Sequence, residues 1–234
     1  LTAQAESPEF EMEIGTKLDR FTVELSFSCR PGEVLAVVGP SGAGKTTLLR
    51  IIAGFMHPGE GFIRLGDTVF FDKQAHIHLP PQGRRVGLVT QEYTLFPHMT
   101  IRENLAFAHN GGPDPVDLLE ASGIAHLADR RPDKISGGER QRVALCRILA
   151  MSPNMLLLDE PFSALDIENR IILQEMIIKV GRERKIPIIH VTHDLSNALR
   201  YADRILAINE GREDRAWLDR QLEYLERNAV LARR

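Results

Sequence analysis

Two kinds of apolar pattern run along this chain. Phe21, Val23, Leu25 and Phe27 alternate with Thr22, Glu24, Ser26 and Ser28, which predicts a half-buried strand of antiparallel type. Elsewhere the apolar residues come in short unbroken runs: Val34-Leu35-Ala36-Val37-Val38, Val86-Gly87-Leu88-Val89, Met155-Leu156-Leu157-Leu158, residues 186–191 and residues 205–208. Such runs suit strands covered on both faces. Residues 59–71 read as short strands broken at Gly66-Asp67, and residues 73–85, with Pro80-Pro81 and Gly83, as a surface loop. From residue 100 to 150 the period becomes helical, with candidate helices at 117–122, 124–129 and 138–150. Further helices are expected at 164–184 and 195–201. A charged one at 213–234 carries Trp217, Leu218, Leu222, Leu225 and Leu231 as its apolar positions.

Strands alternating with helices predict an α/β fold with a mostly parallel core sheet. An antiparallel β subdomain accompanies it, and a helical block at about residues 92–150 is inserted into it. The whole reads as one unit over residues 1–234.

Composition narrows the classes. The chain has 234 residues, 43% hydrophobic and 26% charged, ordinary values for a globular protein with a core. A net charge of −3 argues against a dedicated nucleic-acid binder, which is usually basic. Two cysteines, Cys29 and Cys146, make no disulfide framework; both are expected as small buried side chains in a reducing compartment. No apolar run approaches the length of a membrane span. The polar start, Leu1 to Pro8, does not read as a signal peptide.

The chemistry concentrates in Gly39-Pro40-Ser41-Gly42-Ala43-Gly44-Lys45-Thr46-Thr47, a match to G-x-x-x-x-G-K-[ST]. A buried-type strand leads in and an apolar-periodic stretch, Leu48 to Ala53, leads out. Glycines let the backbone wrap a phosphate, and the turning N–H groups and the helix N-terminus face the anion. Lys45 is expected to reach β- and γ-phosphates and Thr46 to hold Mg²⁺.

Such a loop needs a carboxylate for its metal. Asp159, ending the strand at 155–158, is placed for it, and Glu160 beyond it is a candidate general base. Ser136-Gly137-Gly138-Glu139-Arg140-Gln141-Arg142 opens an amphipathic run. By itself that stretch is either an anion site or an ordinary N-cap with a flexible lead-in.

Taken together, these segments resemble the nucleotide-binding subunit of an ABC transporter. Ser136 to Gln141 is similar to that family's L-S-G-G-Q signature, with Ile135 for Leu and Glu139 for Gln. Gln91 matches the Q-loop glutamine, Ser163-Ala164-Leu165-Asp166 the D-loop, and His193 the switch histidine. The motifs stand in the family's order and cover most of residues 20–210.

The resemblance implies a P-loop NTPase fold of ABC type. Gly39 to Thr47, including Pro40, Ser41, Gly42, Ala43 and Gly44, would bind the phosphates of ATP. Thr46, Gln91 and Asp159 would serve Mg²⁺. Glu160 would be the catalytic carboxylate, with His193 and Gln91 beside it. Ser136, Gly137, Gly138 and Gln141 would meet ATP held by a second subunit, and Asp166 would tie the two sites together. A homodimer or pseudo-dimer with ATP at its interface is implied, docked on transmembrane permease subunits at the cytoplasmic face of a membrane, with no nucleic acid. The stretch from Leu79 to His98 resembles the importer branch, including molybdate- and tungstate-type ATPases, and Leu95 to Thr100 would then cradle a partner's helix.

The family's adenine-stacking aromatic would fall near Thr16, Lys17 and Leu18, none of them aromatic. Phe10 and Phe21 are the substitutes, although Phe21 fits the core face of its strand. A soluble repair or translation ATPase would need coiled coils or two cassettes. A small-molecule kinase would leave Ser136 to Gln141 and His193 unexplained. His76 and His78 read as solvated, and His190 as packed or hydrogen-bonded.

Overall fold

A computed structural model describes residues 8–90, 95–162 and 165–231. The unbroken apolar runs become one sheet. β3 (Val34–Val38), β7 (Val86–Val89), β8 (Met155–Asp159), β9 (Ile188–Val191) and β10 (Arg204–Asn209) lie parallel in the order β10-β3-β9-β8-β7. A short β11 (Arg212–Glu213) adds to β10 in antiparallel sense. Every residue of β3, β8 and β9 is buried, as strands covered on both faces require.

The alternating strand belongs to a second, antiparallel sheet of order β2-β1-β4-β5-β6. Its members are β1 (Phe10–Lys17), β2 (Thr22–Cys29), β4 (Glu60–Leu65), β5 (Thr68–Asp72) and β6 (Ile77–His78). β1 is an addition to the elements read from sequence. Its signal is the alternation of buried Phe10, Met12, Ile14 and Thr16 with more exposed residues, and it pairs from Phe10↔Cys29 to Lys17↔Thr22. Residues 73–85 are not all loop: they contain β6 and a one-turn helix, α2 (Pro81–Arg84).

Between the sheets lies α1 (Lys45–Ala53), which buries Lys45, Leu48, Leu49, Ile51, Ile52 and Ala53. Its apolar residues share one core with Phe10, Met12, Ile63 and Phe70 of the antiparallel sheet and Val37, Leu157 and Ile189 of the parallel one. A helix with so wide an apolar face, leaving only the Thr46–Arg50 side in water, is stable where two layers cover it. Each fully buried Leu or Ile there contributes about 1.5–3 kcal/mol.

The far end of α1 is closed by Arg84. This guanidinium is 1% exposed and donates to Ile51 O, Ile52 O, Phe70 O and Leu79 O. Burial brings its pKa down to about 10. It supplies the cation and the donors that a helix C-terminus lacks. Gly54 makes the fit possible: it is left-handed, with φ +89°, and a Cβ there would meet Arg84 Nε at 2.8 Å.

A helical group packs at the β7–β8 side. It comprises α3 (Ile101–Ala108), α4 (Pro115–Ala121) and α5 (Gly137–Ala150), whose buried residues cluster with Leu156 and Leu158. The helix expected at 124–129 is instead a single 3₁₀ turn, Ala125–Leu127. Gly123, at φ +69°, separates it from α4, and the remaining run is too short to propagate an α-helix. α6 (Ile167–Glu183), α7 (Leu195–Tyr201) and α8 (Arg215–Leu231) follow the sequence reading closely. Trp217, Leu218, Leu222 and Leu225 of α8 pack against Ala36, Val38 and Leu195. No helix among the described residues is long and apolar enough to cross a membrane. Both cysteines are buried, and burial raises their pKa values to about 12 for Cys29 and about 11 for Cys146.

His190 of β9 is 2% exposed, stacks on Tyr201 and hydrogen-bonds its hydroxyl. Burial brings its pKa down from 6.5 to about 3. An unfolded histidine takes its proton near 6.5, so between those values the unfolded chain binds more protons. The contribution is fully present above pH 6.5 and is lost as pH falls towards 3, by up to about 1.4 kcal/mol per pH unit. Urea unfolding across this range should therefore show a shallower acid slope for His190→Gln than for the parent chain.

Candidate functional site

The phosphate loop bridges β3 and α1. Its tightest point is Gly39, where a Cβ would lie 2.0 Å from Ile208 O of the neighbouring strand β10. No other residue fits that close approach. Gly44, left-handed at φ 101°, caps the start of α1. Lys45 turns back over the loop, and its Nζ donates to Gly39 O and Pro40 O, each at 2.8 Å. Burial lowers its pKa, while Glu160 and Asp159 pull the other way. A sequestered ammonium beside a ring of N–H groups and a helix N-terminus is a phosphate-type anion site.

Asp159 ends β8 next to this loop. Thr46 Oγ1 donates to Asp159 Oδ2 at 2.9 Å. Burial pushes the carboxyl's pKa up, the Thr46 hydrogen bond opposes that, and the Glu160 charge adds to it. A hydroxyl and a carboxylate oxygen side by side form the donor set a hard divalent cation takes, with phosphate oxygens and water completing its shell. Among the described residues no group of three or more His, Cys, Asp or Glu could hold a metal alone. The two donors fit Mg²⁺ arriving with a phosphate ligand.

Glu160 sits just past the strand end with φ 49°, a left-handed conformation that costs a non-glycine residue about 1–3 kcal/mol. Its N–H donates to Val191 O at 3.0 Å, which fixes the turn. His193 Nδ1 lies 2.7 Å from Oε1 and 2.7 Å from Oε2 of this carboxylate. The carboxylate is largely covered, whereas the imidazole is 71% exposed. A base held by an orienting imidazole at the mouth of an anion site can take a proton from a water attacking that anion.

Gly44, Lys45, Thr46, Asp159, Glu160 and His193 line one cleft of about 940 Å³. Lys17, Asp19, Arg20 and Met56 line it too. Lys17 and its neighbour Leu18, also on the wall, stand where the adenine-stacking aromatic was expected, whereas Asp19, Arg20 and Met56 belong to no motif. Phe10 is fully buried in the core, so it is no candidate for stacking on a base. Phe21 packs on the core and also lines the cleft, its ring against Gly44.

The second group of sequence candidates lies elsewhere. Ser136, Gly137, Gly138, Gln141 and Asp166 are absent from the cleft wall. Ser136 caps α5: its side chain accepts from Glu139 N while Glu139 accepts from Ser136 N, a reciprocal capping box. Ser136 and Gly137 are exposed. Gln141 is grouped with them by resemblance, but it is fully buried and reaches inward to Pro161 O. It does not face a ligand outside the chain, because an amide on the inner side of α5 must find its partner in the interior. Asp166 caps α6 and accepts from Asn169 N at 2.9 Å. Gln91, Ser163 and Ala164 lie outside the described residues. Phe96, in the stretch expected to meet a partner helix, is half-buried under Arg147 and edge-on to Phe107, which is 67% exposed.

A family model described as "ABC transporter" matches residues 23–163. The chain is 44% identical over 197 residues to the molybdenum import ATP-binding protein ModC of Brucella abortus (strain 2308), covering 82% of this chain and 55% of that protein. It is 43% identical over 197 residues to the Fe(3+) ions import ATP-binding protein FbpC of Haemophilus influenzae (strain 86-028NP), covering 81% and 56%. The chain thus spans about half the length of the curated relatives it matches. A similar solved structure is the dimeric post-hydrolysis state of the ATP-binding cassette MJ0796 bound to ADP and Pi. Its TM-score is 0.71 at 27% identity, covering 88% of this chain and 97% of that one.

The Lys45 ammonium is the buried charge aimed at the anion. Lys45→Ala should weaken MgATP binding by at least about 30-fold, the low end for removing one partner of a buried charge pair. Isothermal calorimetry giving an unchanged affinity would remove the loop's assignment.

Proposed function

This chain belongs to the ABC transporter family, and from that premise we propose that it binds and hydrolyses MgATP to power solute import through separate transmembrane permease subunits. The observation that carries the reading is the division of its motifs. One cleft gathers Lys45, Thr46, Asp159, Glu160 and His193, while the anion-suited start of α5 lies outside it. A helix start that cannot serve its own cleft can serve that of a second copy.

On this reading Gly39 to Thr47 hold the ATP phosphates, with Lys45 neutralising charge at the β- and γ-positions. Thr46 and Asp159, with Gln91, would hold Mg²⁺, which when bound would supply Lewis-acid stabilisation of the transferring phosphoryl group. Glu160 accepts the proton of the water whose oxygen bonds to the γ-phosphorus. The bond from that phosphorus to the β-bridging oxygen breaks, and ADP and phosphate leave. His193 orients Glu160 and meets the γ-phosphate. Ser136, Gly137 and Gly138 close over the γ-phosphate of the partner's ATP, so ATP holds a homodimer or pseudo-dimer together and its hydrolysis releases it. Asp166 would tie the two sites together.

The chain would sit peripherally at the cytoplasmic face of the membrane, held there by its permease partners, with Phe96 and Phe107 in the docking region. For the cargo we take molybdate, tungstate or another small anion, which the 44% identity to a molybdenum import protein supports; the 43% identity to an Fe(3+) import protein makes ferric ion the competitor to test. Uptake of labelled molybdate by vesicles carrying the assembled transporter tests that assignment, and an unrelated solute as sole cargo would replace it.

Glu160→Gln keeps shape and removes the base. Phosphate release at saturating ATP should fall by about 100-fold or more, while ATP still binds. Turnover near that of the parent chain would take Glu160 out of the chemistry. The same variant should be monomeric without nucleotide, dimeric with ATP and monomeric with ADP, read by size-exclusion chromatography with light scattering. Adding Gly138→Asp places a carboxylate at the start of α5 against the partner's γ-phosphate. That double variant should bind ATP yet stay monomeric; equal dimerisation would rule out completion of the site in trans.

A further inference from the structure

Two neighbouring residues of α5 grip the segment that follows the catalytic carboxylate. Gln141 is fully buried, and its Nε2 donates to the carbonyl of Pro161, the residue directly after Glu160. Its Oε1 is buried with no hydrogen-bond partner among the described residues. Arg142 Nη1 donates to Asn169 Oδ1 at 2.7 Å. Asn169 in turn holds both carboxylate oxygens of Asp166, through its backbone N–H at 2.9 Å and its Nδ2 at 2.6 Å. One turn of α5 therefore holds Pro161, the residue directly after Glu160, and Asn169, the residue that holds Asp166.

We propose that Gln141 and Arg142 form a clasp that couples an anion at the start of α5 to the position of Glu160 in the same chain. This rests on the reading of Ser136 to Gly138 as the contact to a partner's ATP. Ser136 is rigidly capped, so a displacement there moves α5 as a body. Gln141 then carries it to Pro161 O, against the fixed point where Glu160 N–H meets Val191 O. Glu160 is already in a left-handed conformation that its surroundings must enforce, so its carboxylate responds to small shifts of the next residue. Gln141 and Arg142 are positioning residues: neither lines the cleft. The buried, unpartnered Oε1 fits a side chain retained for its link to Pro161, since an apolar residue would fill the same space without that cost.

Gln141→Met keeps volume and removes the bond. It should lower kcat by about 10- to 100-fold, the scale of a small misplacement of a catalytic group. KM for ATP should stay within about 3-fold, because the residues holding the nucleotide are untouched. In the Glu160→Gln background it should still dimerise with ATP. Asn169→Ala, at a half-exposed position, should reproduce the split and serves if Gln141→Met does not fold. The two together should cost less than the product of their separate effects, as for parts of one device. A kcat within 2-fold of the parent, or joint loss of turnover and ATP-driven dimerisation, overturns the clasp. If Glu160→Gln alone fails to dimerise with ATP, the composite-site reading itself fails and takes the clasp with it.

Discussion

One helix, held between two sheets with only its Thr46–Arg50 side in water, organises this molecule. α1 buries Leu48, Leu49, Ile51 and Ile52 between an antiparallel and a parallel sheet. Both of its ends must therefore be satisfied inside the protein. At the C-terminus Arg84 does this with a single buried guanidinium spread over four carbonyls. At the N-terminus the free N–H groups and the positive end of the dipole open into the cleft, where an anion is the natural complement. The same burial that stabilises the fold thus creates the site. Arg84 also ties β5 and the run into β7 to the end of this helix, so the antiparallel sheet, the phosphate loop and the strand before Gln91 share one anchor.

The cleft concentrates charge that its surroundings penalise. Burial disfavours both the Lys45 ammonium and the Asp159 carboxylate, and each is kept in place by the opposite charge nearby. Glu160 adds a second carboxylate in a left-handed turn. Lys45 is the cation packed between these two acids, and a divalent cation arriving with a polyphosphate would bring a second positive charge to them. Unfavourable charge and backbone strain in one place are what a site pre-organised for such a ligand costs the folded chain.

The sequence made the motif-bearing strand ends legible because their chemistry is local. A glycine-rich turn between a buried strand and a helix, or an acidic pair at a strand end, is set by a few adjacent residues. Lys45, Thr46, Asp159, Glu160 and His193 all converge on one cleft accordingly. What the sequence hid was long-range or short-lived. β1 carries a clean alternation, but its residues mean little until β2 and β4 pair with it. The run at 124–129 has helical apolar spacing yet lacks the length to propagate, and it stops as a 3₁₀ turn. Gln141 reads as part of a ligand-binding motif; only the direction of its side chain into the core, towards Pro161, separates it from Ser136. Asp19 and Arg20, in the turn from β1 to β2, and Met56, just past α1, reach the cleft through tertiary packing, which no local pattern encodes.

On the composite-site reading, a chain with its cleft in one place and its partner-facing helix start in another needs a way for one to influence the other. Direct electrostatics is a poor carrier. Ser136 and Gly137 are exposed, and a charge added there is screened by water and salt over roughly 8–10 Å. A packed helix is a better one, because a close-packed interior transmits displacement with little compression. α5 has the features such a carrier needs: a capped start, 14 residues of regular helix, and buried side chains, Val143, Leu145 and Cys146 among them, that fix it in the core. It also has a polar contact where a helix of this burial would ordinarily be apolar. On the proposed coupling, the Gln141 amide is the point at which motion of α5 becomes motion of the backbone next to Glu160, and the Arg142–Asn169–Asp166 contacts tie the same turn of α5 to the start of α6. Coupling of this kind needs no conformational change larger than the slack of two hydrogen bonds, which is why it can operate in a core that is otherwise rigid.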